Sequence, residues 1–142
     1  MIEFTVYGAP HGKGRPRFAR RGNYFTTYTD DDTMDYEQLV KFSYLEKNTE
    51  KYMGREPLEM EVKVYQQILK SFSKRDKEKA TRCEIRPTKK PDIDNIVKSI
   101  MDGLNKVAYA DDTQIISIRC DKYYSNEPRV EVKIKLWEYK ND

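Results

Sequence analysis

The densest run of potentially reactive side chains is KKPDIDNIVKSIMDGLNKVAYADDTQI, residues 89–115. Asp92 and Asp94 stand two apart, and in extended backbone residues i and i+2 project to the same side. Pro91 keeps the residue before it out of the helical region, so the approach to Asp92 reads as extended and Asp94 as the mouth of a helix. Asp94, Lys98 and Asp102 follow at i, i+4 and i+8. They form one stripe of that helix, opposite its apolar residues and flanked by Asn95 and Asn105. Asp111 and Asp112 lie beyond a short connection, ahead of a strand from Gln114. A strand starting at Asp112 and lying beside the segment that ends at Asp92 would gather the carboxylates of Asp92, Asp94 and Asp112. Crowded carboxylates raise one another's pKa, and a hard divalent cation relieves the repulsion. Mg²⁺ prefers carboxylate and water oxygens and commonly takes one or two protein carboxylates plus substrate phosphates. Such an ion polarises a phosphoryl oxygen and activates water. Lys98, one helical turn from Asp94, suits charge that develops on a phosphate.

Each part also has a plainer reading. Asp92 or Asp94 fits a helix N-cap, a position Asp favours. Lys98 fits an ion pair with Asp94 or Asp102, and Asp111-Asp112 fit a turn before a strand. If the acids are crowded for function, Asp→Asn at 92 or 94 raises metal-free stability; if they are caps, it lowers it. The Gly and terminal Glu spacing of an EF-hand is missing.

Two basic segments accompany these acids. Residues 11–21 (HGKGRPRFARR) hold five basic residues and no acid. Lys13, Arg15, Arg17 and Arg20 sit there in a Gly/Pro-punctuated loop that suits close approach to phosphates. Phe18 or Tyr24 suits a wedge against an exposed base. Residues 70–90 hold nine Lys and Arg against Asp76, Glu78 and Glu84. Lys74, Arg75, Lys77 and Lys79 form a second candidate phosphate contact. The alternative for both segments is a solvated surface. His11, the only histidine, reads as a plain loop residue, since zinc needs more nitrogen or thiolate ligands.

The elements that would position these groups follow from hydrophobic spacing. Ile2, Phe4 and Val6 alternate with polar residues as a half-buried strand. Residues up to Gly22-Asn23 read as a loop or hairpin tip, and Tyr24–Tyr28 as a short strand. Residues 33–52 read as a helix with Tyr36, Leu39, Val40, Ser43, Tyr44 and Lys47 on one face and Asp32 or Thr33 as its cap. Residues 58–64 alternate as a strand. A short, polar, poorly buried helix is expected over 73–82. Residues 92–106 form a helix with Ile96, Val97, Ile100, Met101 and Leu104 inward. Strands follow at Gln114–Cys120 and Val130–Leu136, read as a hairpin around Asn126-Glu127-Pro128. The order predicts an α/β (α+β) two-layer sandwich, with a mixed sheet of four to five strands and two main helices.

Composition narrows the class. The chain has 142 residues, one domain over 1–142 on the length prior. Lys and Arg number 27 against 24 Asp and Glu, a net charge of +3. The aromatic residues, among them eleven Tyr, argue against disorder. No apolar run approaches a bilayer span, so no membrane partner is expected. Nor does the N-terminal stretch read as a secretory signal. The two cysteines are too few for a disulfide scaffold, which suits a cytoplasmic location with reduced thiols.

Pro91-Asp92-Ile93-Asp94-Asn95, Lys98, Asp102, Leu104 and Asp111-Asp112 with Gln114 resemble the core of the RusA-like Holliday junction endonucleases. The pattern K-P-D-x-D-N-x-x-K-x-x-x-D-x-L…D-D-x-Q is long and fixed in spacing. Gly12-Lys13-Gly14-Arg15-Pro16-Arg17 and Tyr36-Glu37 resemble the phage and prophage branch. The resemblance covers nearly the whole chain. It implies a homodimeric, Mg²⁺-dependent endodeoxyribonuclease that nicks opposing strands of a four-way DNA junction. By motif position Asp92, Asp94 and Asp112 are the metal-binding catalytic carboxylates and Lys98 the catalytic lysine, with Asp111 a second-ranked acid. The alternatives are a non-catalytic nucleic-acid-binding module, a metal-dependent nuclease acting on other branched DNA, and a small Mg²⁺-dependent phosphatase.

Overall fold

The computed structural model describes residues 1–13, 17–21, 24–28 and 31–140; for 17–21, 24–28 and 31 it describes the backbone alone. In chain order the elements are β1 (Ile2–Tyr7), β2 (Arg17–Arg21), β3 (Tyr24–Tyr28), α1 (Asp31–Lys47), β4 (Leu58–Gln67), α2 (Lys74–Thr81), α3 (Ile93–Leu104), β5 (Ile115–Ser125) and β6 (Arg129–Leu136). A 3₁₀ turn over Asp112–Gln114 leads into β5.

Alternation builds the main sheet, of order β1-β6-β4-β5. β6 runs antiparallel to β1 and β4, and β5 parallel to β4. Phe4, Val132, Val62 and Cys120 stand in register across it, as do Val6, Val130, Val64 and Lys122. On that face α1 buries Tyr36, Val40 and Tyr44, and α3 buries Ile96, Ile100 and Leu104. Each such aliphatic side chain contributes about 1.5–3 kcal/mol of burial. The opposite face carries in-register ion pairs, Glu3 with Lys133 at 3.5 Å and Glu59 with Lys135 at 3.1 Å. One sheet face under helices and one under water is the expected two-layer α/β (α+β) sandwich. Where α1 and α3 meet, a Cβ on Gly103 would lie 2.8 Å from the Glu37 carbonyl oxygen, so the approach requires glycine. Among the described residues no helix is long and apolar enough to cross a membrane.

Several expectations change. The first helix ends at Lys47 because Asn48 turns the chain out: its Nδ2 donates to the carbonyls of Glu3, at 3.0 Å, and Tyr44. Asp32 and Thr33 lie inside that helix rather than capping it, and Leu39 is exposed. β5 and β6 are not a hairpin, since β4 lies between them. A three-residue link spans up to about 10 Å, enough to step over one strand. β5 runs on to Ser125, and Ile116 and Ile118 stand exposed on its edge. The short polar helix is found at 74–81 and is poorly buried as expected: Ser73 caps it, and Ala80 is its one buried residue, packed with Ile68 and Tyr124.

Candidate active site

The C-terminal end of α3 presents Asp112. Asn105, just past the helix, accepts the Asp112 backbone N–H at 3.2 Å, which ties the acid to α3. Gln114 is buried and fully bonded. Its Oε1 accepts from the Ala110 and Asp111 N–H groups, and its Nε2 donates to the Tyr52 and Glu56 carbonyls. Asp111 closes a capping box by accepting from Thr113 N–H at 3.0 Å. The turn-residue reading therefore holds for Asp111. That backbone hydrogen bond, then contact with Asp112, lowers the Asp111 pKa. The Asp112 pKa moves up. Burial is the main cause, followed by the neighbouring carboxylates of Asp111 and Asp102, while Lys98 opposes the shift.

The N-terminal end of α3 presents Asp92 and Asp94. Asp92 takes the N-cap position, yet its side chain makes no capping hydrogen bond, so the carboxylate stays available. Asp94 lies exposed in the first turn. The turn that delivers them is held from the sheet. Gln66 Nε2 donates to the Lys90 carbonyl at 3.2 Å, and Lys122 Nζ donates to the carbonyls of Lys89 at 2.6 Å and Pro91 at 3.0 Å. Burial lowers the Lys122 pKa, with the nearby Asp92 charge working against that. Sequence reading missed Lys122, which occupies an inward register position that alternation reserves for an apolar residue.

The three carboxylates do not gather at one point within a protomer. α3 has 12 residues, about 18 Å at 1.5 Å per residue. Asp92 is pinned at the Lys122 end of β5 and Asp112 at the Ile115 end, so α3 runs antiparallel to β5. The expected side-by-side arrangement of 92 and 112 is therefore corrected. Among the described residues no group of three His, Cys, Asp or Glu side chains is arranged to hold a metal ion. The structure does bring Lys98 and Asp102 into the electrostatic surroundings of Asp112, and it keeps Asp92 with Asp94. As donors, either acidic pair fits a partial Mg²⁺ shell of hard oxygens completed by water and phosphate.

Lys13, expected to contact phosphate, is engaged inside the protein. Its Nζ bonds Asp102 Oδ2 at 2.6 Å and Glu37 Oε1 at 3.1 Å, joining the loop to α1 and α3. Burial opposes its charge, but the bonds to Asp102 and Glu37 outweigh it and raise the Lys13 pKa. Gly12 permits the approach: a Cβ there would meet the Asn95 and Pro91 Cβ atoms at 3.0 and 3.1 Å. The contribution of a raised lysine is present below its ordinary pKa and fades as alkaline pH rises through the folded value. Lys13→Met leaves two partly buried carboxylates without their cation. It is expected to cost about 1–2 kcal/mol, read as a Tm lowered by several degrees. An unchanged melting curve would contradict that role. Arg15 falls outside the described residues, as do the side chains of Arg17, Phe18, Arg20 and Tyr24. Lys74 and Arg75 begin α2.

A Bacillus subtilis (strain 168) protein described as uncharacterized protein YqaN is 41% identical over 136 residues, covering 94% of this chain and 95% of that protein. The family model described as Endodeoxyribonuclease RusA matches residues 8–135, a span from the Gly-Lys loop through both acidic pairs to β6. The chain belongs to the RusA endodeoxyribonuclease family.

Proposed function

We propose that this endodeoxyribonuclease is a Mg²⁺-dependent homodimer that resolves four-way DNA junctions by paired nicks. Asp92, Asp94 and Asp112 would hold the metal, and Lys98 would steady the scissile phosphate. The observation that carries the reading is Asp112. Its backbone is tied by Asn105, its pKa is raised by burial and by Asp111 and Asp102, and Lys98 is its cationic neighbour.

The dimer resolves the separation of the acids. β5 is an 11-residue edge strand with Ile116 and Ile118 exposed at 55% and 44%. A long apolar edge of this kind is a template for pairing. Antiparallel pairing of two such edges about a two-fold axis reverses α3 in the partner. Each Asp112 then faces the partner's Asp92 end, and two equivalent sites arise, one for each strand of a two-fold-symmetric junction. The chemistry Mg²⁺ supplies when bound is polarisation of the phosphoryl oxygen and acidification of water. The chain's own groups do the placing. Lys122 and Gln66 fix the turn before Asp92, Asn105 and Gln114 fix the turn at Asp112, and the Lys98 ammonium offsets negative charge that grows on the phosphate. In the hydrolysis a water oxygen forms a bond to phosphorus as one P–O bond of the backbone breaks; the water gives up a proton to solvent, and the departing sugar oxygen takes one up to leave as a hydroxyl.

A gel assay on a synthetic four-way junction, with Mg²⁺, Ca²⁺ and chelator in parallel, tests this reading. Paired nicks are expected with Mg²⁺, binding without incision in chelator, and little cutting of linear duplex or single strands. Equal incision in chelator, or linear duplex cut as fast as the junction, would contradict it.

A further inference from the structure

We propose that a basic groove between α2 and the far ends of β4 and β5 is a second, non-catalytic DNA site. It would take the sugar–phosphate backbone of a duplex arm that leads away from the cut. Lys70, Lys74, Lys77 and Arg82 line it against one acid, Glu78, and Gln67 and Asn126 close its head. Arg82 is engaged by Glu84 at 3.0 Å. Lys70, Lys74 and Lys77 have no ion-pair partner among the described residues. Three unpaired ammonium groups around one concavity hold counterions, and a polyanion that displaces them gains the entropy of their release. The family's substrate is DNA, so the polyanion is a phosphodiester backbone.

The helix phase makes this more than a basic stretch. Ser73 caps α2, and Ala80 is buried against the sheet end, which fixes the rotation of the helix. Lys74 and Lys77 then turn toward the groove, whereas Arg75 and Lys79 do not line it. The four cations that looked equivalent in sequence are sorted into two and two.

The groove also stands at a useful place. Lys122, which bonds the Pro91 carbonyl at 3.0 Å, precedes Asn126 by four residues. That is about 13 Å along a strand, or roughly four base pairs of duplex at 3.4 Å each. A duplex whose scissile phosphate lies by Asp92 therefore has an arm that reaches the groove. This relation rests on the reading of Asp92 given above; the groove's affinity for backbone does not.

The test compares two charge-matched pairs in the full chain, Lys74→Ala/Lys77→Ala and Arg75→Ala/Lys79→Ala. Binding to a long-armed four-way junction is measured in chelator by fluorescence anisotropy over a range of salt. The first pair is expected to bind about tenfold more weakly near 0.1 M salt. It should lower the slope of log K against log salt by about two, since each phosphate contact contributes about 0.9. The second pair should lose less than about twofold, with its slope nearly unchanged. Equal losses from the two pairs, or no loss from the first, would overturn the proposal. Thermal melts check folding, and the Lys→Gln versions serve if an alanine pair melts early. A parent that binds junctions and fails to nick them would sink the metal-site reading and leave the slope comparison standing.

Discussion

Asp94→Asn and Asp112→Asn are each expected to bind a four-way junction while nicking it more than about 10²-fold more slowly than the parent. Replacing one oxygen of a metal-binding carboxylate by an amide removes charge and a hard donor, and even losses behind the ligands of such a site cost 10–100-fold. A junction gel run at equal bound fraction separates this from weak binding. Either variant cutting at the parental rate, with its fold intact, would remove that residue from the site. The two differ in stability. Asp112 has a raised pKa, chiefly from burial and then from Asp111 and Asp102. A group raised in this way favours the folded state at low pH and works against it as pH climbs past the ordinary carboxylate range. Metal-free Asp112→Asn should therefore melt slightly higher at neutral pH, by ~1–2 °C after allowance for solvent screening.

Lys98→Met carries the second large effect. The lysine is exposed on the outward stripe of α3 and works against the upward shift at Asp112. Loss of a cation aimed at developing phosphate charge is expected to slow nicking by about 10²–10³-fold. It has a second signature. Without the ammonium, the Asp112 anion loses its stabilising neighbour, so its pKa rises further and deprotonation moves to higher pH. A carbon-detected NMR titration of the metal-free protein reads that shift directly. An unmoved Asp112 titration together with unchanged nicking would show Lys98 to be a solvated surface charge.

Much of this site was legible in the residues. The i, i+4, i+8 stripe of Asp94, Lys98 and Asp102 lies opposite buried Ile96, Ile100 and Leu104, as a 3.6-residue period requires. The strands of β1, β4 and β6 alternate as read. The direction of α3 against β5 was not legible, because local spacing fixes a helix and its faces but not the end that meets a given strand. That one topological fact separates Asp92 from Asp112. The β5–β6 link misled for a related reason, since a three-residue connection suits a hairpin and a step over one strand equally. Edge strands hide from pattern reading too. Ile116 and Ile118 alternate like core residues, yet β5 has a neighbour on one side only. Lys13 looked like a free loop cation, and only tertiary structure brings Glu37 and Asp102 to it. Gln114, a letter in the motif, gains a physical reason: four hydrogen bonds hold the turn that carries Asp112.

Subunit mixing tests most directly the claim that the two ends of α3 make one catalytic site across a dimer. Asp94→Asn and Asp112→Asn, each inactive alone, are combined under conditions that exchange subunits, and junction nicking is followed. A shared site leaves one intact set of acids in each mixed dimer, with wild-type residues at 92, 94 and 112, so single-strand nicking should return. A mixture as inactive as its two components, with exchange verified, would contradict it.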